Sequence, residues 1–498
     1  IMECHSAYRY MSNWGVIENH GLFEIGVCLP QSEKTKQFIA FAVKNLEVQV
    51  RMQIMPDGVH WEQSPMYHNE VLHCLLDVIL LAKRNDIALP DVILRQTEKM
   101  AMADVAWLKP DHHILMMGDS DDVDVRDRIS VAAYLFLNPV LRFGGFDRLD
   151  YESIWDLGMK AGEEYAGMER REPDFTSLFL EHSGNTYFRS DWSERANFLH
   201  LHSGTMGAGH GHSDKLHIDL VVNGEDVLMD GGRYTYVSGP KRFSYKDPSG
   251  HNTITVDDLP FTVCKDSWEC SKLSQPVKEN FRCTKLAEFA QAGQLGYMDL
   301  PGGVYVNRKA VYIKPDLYVL ADEMYTGDRH TYQQYFHFNN HGTVTQNAPG
   351  EKKFPCVVYR GKMAEADFYF VSAQVKAELK SGHIARHYNV EEENTVCKVT
   401  KQGEGFTSLI TVIDAQPGRP LSIEKLPVRS ALKQTDYPET MAEALKITAG
   451  EKEYVVILCH QEVNSPTDLV EADGCMGYGN VIVFDKAGDV LVGDVLNW

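Results

Sequence analysis

The residues best suited to chemistry fall within positions 207–253, GAGHGHSDKLHIDLVVNGEDVLMDGGRYTYVSGPKRFSYKDPSGHNT. Side chains alternate along an extended segment, so His210 and His212 project to the same side. After them Leu216, Ile218, Leu220 and Val222 alternate with Lys215, His217 and Asp219, which predicts a half-buried strand, and Asn223-Gly224 is a hairpin turn signal. The return segment EDVLMD ends on Asp230, which the hairpin brings back toward His212, and His251 follows a basic loop. Two imidazoles and a carboxylate, His212, Asp230 and His251, can bind a divalent transition metal, zinc by ligand type, with one position open to water. The competing reading is polar residues at strand ends. Arg233, Lys241, Arg242 and Lys246 concentrate positive charge in the same loop, either to meet an anionic ligand or as a solvated surface.

Two upstream stretches carry unusual polar groups: Asn13 to Gly21, NWGVIENHG, and Asp57 to His68, DGVHWEQSPMYH. By composition alone each reads as a helix end with satisfied polar side chains.

The elements that must position these groups change character near Phe175. Before it the period is helical: Ile39, Val43, Leu46 and Val50 form one stripe, and Leu72, Leu75 and Ile79 another, with Pro30, Pro56, Pro90 and Pro110 as breaks. After it come short β-branched and aromatic runs such as NFLHLHSG, HTYQQYFHF and SLITVIDA, without intervening helices, which predicts an antiparallel sandwich. A chain of 498 residues exceeds one ordinary core, so a helical domain over 1–175 and a β domain over 176–498 are expected. The acidic run GDSDDVDVRD at 118–127 reads as an exposed connection, with a calcium loop as the alternative. A net charge of −21 argues against non-specific nucleic-acid binding, and no apolar run is long enough for a membrane-spanning helix. Ten scattered cysteines read mostly as small buried hydrophobes. The chain opens as though already inside a helix, so an upstream segment is expected.

The GHxHxD element His210–Asp214, the Asp230-Gly231-Gly232 strand end and His251-Asn252-Thr253 together resemble the heparinase II/III superfamily of polysaccharide lyases. The NWxxxENHG-type and ExSxxYH elements upstream are similar to those of heparinase III-like members. The resemblance implies an incomplete (α/α) toroid, here cut short, followed by an antiparallel β-sandwich. It implies cleavage of a uronate-containing glycosaminoglycan of the heparan sulfate or heparosan type by β-elimination, with alginate as the nearest rival polymer. By the same resemblance, Asn19 or its neighbour His20 neutralises the uronate carboxylate, Tyr67 is the catalytic tyrosine and His210 the base, and Tyr245 is a further cleft tyrosine. His212, Asp230 and His251 hold one divalent, structural metal. His20, His68, Arg233, Arg242 and Lys246 are then candidates for substrate contact, while Asn13 and Glu62 fall to packing. Export to the periplasm or medium follows from the family, and oligomeric state is left open. A metal-dependent hydrolase using the same three ligands, and a polysaccharide-binding protein without turnover, are the readings from other classes.

Overall fold

A computed structural model of the chain describes every residue except 349, 351, 488, 489 and 498. The helical half is built on five longer helices, Asn13–Cys28, Glu33–Gln53, Pro65–Arg84, Asp91–Trp107 and Arg126–Phe136, with shorter ones continuing to Ala166. Local sequence sets their ends. Ser32 caps the second with a reciprocal Ser32–Thr35 capping box, and Pro65 occupies the first turn of the third, where its missing N–H costs nothing. Helix Pro65–Arg84 is the centre of this half: Val71, Leu72, Leu75, Leu76, Val78 and Ile79 are all buried, so it is covered on nearly every side.

Strands begin at Leu178. The main sheet runs antiparallel from Leu178–Leu180 through Asn185–Arg189, Phe198–His202, His217–Val222 and Glu225–Leu228 to the long strand Leu317–Phe338, which pairs with Val390–Asp414. A second sheet, from Leu421–Leu426 to Val490–Asn497, stacks on it: Val311, Val319 and Ile410 of the first interdigitate with Leu445, Ile447 and Val456 of the second. The architecture is thus a helical layer followed by an antiparallel β-sandwich.

The hairpin expected at Asn223-Gly224 is present, with Val222 opposite Glu225 and both turn residues at positive φ (49° and 81°). The strand before it differs from expectation in being buried throughout, His217 to Val222. The reason is that both faces are covered: Val221 joins the helical core, together with Leu180, Tyr187 and Phe198, while Ile218, Leu220 and Val222 join the β core. The intervening polar positions therefore lie inside the protein. Of the cysteines, five are buried as expected, but Cys4, Cys28 and Cys283 are exposed, and all ten are free thiols. Among the described residues no helix is long and apolar enough to cross a membrane.

Candidate functional site

The site forms where the start of helix Pro65–Arg84 and the 118–121 turn of the helical half meet the 203–216 loop of the β half. Ser120 does the local work. Its hydroxyl accepts from the Met66 backbone N–H at 3.1 Å and lies 2.9 Å from the Ser64 hydroxyl, so the turn caps the helix whose first turn carries Tyr67. Gly118 sits at φ 59° with the His210 carbonyl so close that a Cβ would approach it to 2.8 Å. Asp119 N–H then donates to that carbonyl at 2.8 Å. Gly211, between the two histidines, is pressed against the Met206 carbonyl, where any Cβ would collide at 1.5 Å.

The acidic run is therefore not an exposed connection. Asp119 and Ser120 are fully buried, and the Asp119 carboxylate is the hub of the site. It lies 3.0 Å from His210 Nδ1 and 2.9 Å from His212 Nε2, and it accepts from the Arg242 guanidinium at 2.6 Å and 2.9 Å. Burial opposes ionisation there, but the two imidazoles and Arg242 hold its carboxyl well below the usual range. One signal could have found it: Gly-Asp-Ser inside an acidic run has turn chemistry, and Asp and Ser side chains at turns take protein hydrogen bonds rather than only solvent.

With Nδ1 committed to Asp119, Nε2 of His210 makes no hydrogen bond among the described residues. The imidazole lies flat on the Tyr67 ring, centroids 3.5 Å apart, and Trp268 meets it edge-on at 5.3 Å. Tyr67 Oη lies 2.8 Å from Tyr236 Oη, to which Arg233 Nη1 donates at 2.7 Å while its other nitrogens clasp Asp121 in two bonds of 2.7 Å. Burial raises the Tyr67 and Tyr236 phenols above their ordinary value. Tyr236 is the tyrosine of the GGRYTY segment that reaches the cleft, and sequence reasoning passed it over.

His212, Asp230 and His251 converge, their ligand atoms within 4.8 Å of one another. His251 Nδ1 lies 2.8 Å from Asp230 Oδ2, whereas His212 Nδ1 and His251 Nε2 are buried without a partner. Burial also keeps His212 neutral, its pKa pushed down to about 3. Two orphaned imidazole nitrogens beside a carboxylate fit a divalent metal. Behind them His217 Nε2 lies 3.1 Å from Asp219 Oδ1 and its Nδ1 accepts from Asn252 N–H at 3.0 Å, holding the strand end and the His251 turn together.

Several residues singled out in the sequence lie elsewhere. Asn19 is fully buried between helices, its amide donating to Gly15 O at 2.7 Å and accepting from Asn45 at 3.2 Å, so it presents nothing to a substrate. His20 faces Glu24 and Asp77 on the outside of the helical layer. His68 is a packed core histidine, accepting from His60 N–H, bonded to Met100 O, edge-on to Trp107 and pushed down to about 3 by burial. Tyr245 is buried, donates to Glu391 at 2.7 Å and stacks on Tyr234. Arg242 is the buried counter-ion of Asp119, and Lys246 is spent on the Gly209 and Ser267 carbonyls; neither is free for an anionic ligand. Arg233 reaches the cleft through Tyr236, already paired with Asp121. Asn13 and Glu62 are packed as expected: both are buried, and the Asn13 amide donates to the two Glu62 oxygens at 2.9 Å and 3.2 Å, with Glu62 near His210.

Comparison with known proteins gives two matches to family models, "Heparinase II/III N-terminus" over residues 4–139 and "Heparinase II/III-like, C-terminal" over residues 173–420. The heparin-sulfate lyase of Pedobacter heparinus is 26% identical over 286 residues, 53% of this chain and 40% of that protein. The heparin-sulfate lyase of Bacteroides thetaiotaomicron is 22% identical over 339 residues, 64% of this chain and 45% of that protein. The matched stretches thus span less than half the length of these relatives. Among solved structures, heparan sulfate lyase HepC of Pedobacter heparinus superposes with a TM-score of 0.71 at 18% identity, covering 90% of this chain and 66% of that one. A heparinase III superposes with a TM-score of 0.73 at 15% identity, covering 90% and 66%. The fold is therefore the toroid-plus-sandwich arrangement of those enzymes.

Proposed function

The chain belongs to the heparinase II/III family, and on that premise we propose that it is a polysaccharide lyase that cleaves a heparan sulfate-type glycosaminoglycan by β-elimination. The observation that carries the reading is the contact of Tyr67 with His210, one from each half of the chain, with His210 oriented by Asp119. The relatives named heparin-sulfate lyases supply the substrate class.

Abstraction of the C5 proton of a uronate leaves charge that must be delocalised into the adjacent carboxylate. His210 Nε2 is the base: Asp119 fixes Nδ1 and stabilises the imidazolium that forms. Tyr67, kept protonated by burial, gives its proton to O4 as the C4–O4 bond breaks and the C4–C5 double bond forms. Tyr236 and Arg233 stand behind that phenol as a relay for its proton and charge. Neither asparagine is free to meet the substrate carboxylate: Asn19 is spent on Gly15 and Asn45, and Asn13 is buried with its amide donating to Glu62, which it holds beside the His210 loop. Trp268, half exposed next to His210, offers a face on which a sugar ring stacks. His212, Asp230 and His251 hold a divalent cation, zinc by its donor set. When bound, it supplies charge that ties the His212 loop, the Asp230 strand end and the His251 turn into one frame. A polymer substrate of this kind lies outside the cell, so export belongs to the same reading.

The test is ultraviolet absorbance of the 4,5-unsaturated uronate during incubation with heparan sulfate, heparosan, hyaluronan and alginate. Rising absorbance with heparan sulfate or heparosan, lost in Tyr67→Phe, supports the reading. Absorbance with alginate alone moves the substrate class, and reducing ends without absorbance would mean hydrolysis.

A further inference from the structure

We propose that Cys264 and Cys270 form a redox pair that closes to a disulfide and pins the hairpin carrying Trp268 against the His210 loop. The two residues face each other across the antiparallel strands Val263–Cys264 and Cys270–Lys272, and their sulfurs lie 3.4 Å apart. Residues directly opposite in such a pair sit about 4.5–5.5 Å apart at Cα, within the span of a disulfide, so side-chain rotation closes the bond. Both thiols are partly exposed, which gives a small oxidant access. The Cys264 thiol and the Lys246 ammonium draw Cys270 below its ordinary value, against the effect of burial, and so favour the thiolate that attacks.

A lock at this point has something to hold. Among the described residues these two strands pair only with each other, so the hairpin gains no support from the main sheets. Its loop closes on Asp266, whose carboxylate accepts from Trp268 N–H at 2.7 Å and Glu269 N–H at 2.8 Å. Ser267 ties the loop to the cleft: its N–H donates to Ser238 Oγ at 2.9 Å, its hydroxyl to Tyr236 O at 2.8 Å, and its carbonyl accepts from Lys246 at 3.0 Å. Lys246 donates to Gly209 O as well, which joins the hairpin to the residue before His210. Trp268 is thereby set edge-on to His210 and 5.1 Å from the Tyr236 ring, with half its surface exposed. Behind it, Cys270 Sγ lies 3.5 Å from the sulfur of Met206, the residue whose carbonyl presses on Gly211 between the two site histidines.

A small disulfide such as glutathione disulfide is the oxidant. The Cys270 thiolate attacks one of its sulfurs and releases one glutathione thiolate; Cys264 then gives up its proton and attacks the Cys270 sulfur, releasing the second. The two cysteines lose two electrons and two protons, which end on two glutathione thiols. Protein held in glutathione disulfide or in dithiothreitol is alkylated and digested with trypsin, which cuts after Lys246, Lys265 and Lys272 and so leaves the two cysteines on separate peptides. The oxidised sample is expected to yield peptides 247–265 and 266–272 joined, and reduction splits them. Acrylamide quenching of tryptophan emission should fall on oxidation, a difference lost in Trp268→Phe and in Cys264→Ser. A further consequence rests on the lyase reading: with Trp268 fixed for stacking, oxidation lowers KM about threefold or more with kcat little changed. Absence of the joined peptides, or joined peptides with unchanged quenching, overturns the proposal. Joined peptides and reduced quenching in a protein without lyase activity would uphold it and overturn the proposed function alone.

Discussion

The imidazole of His210 and the phenol of Tyr67 are stacked 17° from parallel at 3.5 Å, although 143 positions separate them in the chain. The contact is held from behind on both sides: Asp119 grips the imidazole, and Tyr236 with Arg233 grips the phenol. Removing the Tyr67 hydroxyl should therefore leave the stack and binding intact while abolishing proton transfer. Tyr67→Phe is expected to lower kcat by about 10²–10⁴-fold with KM little changed, read from unsaturated-uronate absorbance. A drop confined to KM would rule out the assigned role.

Asp119→Asn keeps the shape but removes the charge that three partners share. Arg242 is then left buried and uncompensated, at an expected cost of about 3–5 kcal/mol, visible in denaturant unfolding. Activity should fall as well, because Nδ1 of His210 is no longer held as a donor. An active and fully stable variant would contradict the hub.

Asn13→Ala and Asn19→Ala should separate in kcat. The first is expected to lower stability, because it leaves the buried Glu62 carboxylate without its side-chain donor, and to lower kcat as well, because Glu62 lies near His210. The second is expected to lower stability by about 1–3 kcal/mol through its orphaned Asn45 and Gly15 partners, with kcat preserved. The reverse pattern would restore Asn19 as the group that meets the carboxylate.

Chelation should lower the melting temperature in proportion to metal bound at His212, Asp230 and His251, and zinc should restore it. In His251→Ala the temperature is expected to be low from the start and insensitive to chelator at this site.

Acid should loosen the contact between the two sheets. His460 bridges Glu323 at 2.6 Å and Glu443 at 3.1 Å. Against the effect of burial, Lys309 and His460 hold Glu323 down to about 2, and His460 with Lys425 holds Glu443 down to about 2. The carboxylates' contribution is complete above their ordinary value of 4.5 and is lost as pH falls from there toward 2. The raised imidazole contributes fully below 6.5 and loses its share as pH climbs past that value. Unfolding free energy measured from pH 7 to 3 should fall steeply below 4.5, and His460→Gln should flatten that slope.

Much of this protein was legible in the residue order. Helical periods before Phe175, short β-branched runs after it and the Asn223-Gly224 turn are local signals, and each produced the element it predicts. The motif around His210 and His212 marked one wall of the cleft, and the spacing to Asp230 and His251 marked a three-ligand cluster, because a hairpin returns the chain to a place that alternation fixes. What the order could not assign was the direction in which polar side chains on irregular backbone point. Asp119 looked solvated and is the buried hub; Tyr245 looked like the cleft tyrosine, and Tyr236 is the one that meets Tyr67; Arg242 and Lys246 looked free and are consumed internally. Asn13 and Asn19 are six residues apart on one helix and both are buried, and only the packing around that helix decides that Asn13 pairs with Glu62 and Asn19 with Asn45. Local sequence fixes backbone period and turn chemistry, whereas the partner of a charged or hydrogen-bonding group is chosen by long-range packing, where an unpaired buried group costs too much to be left alone.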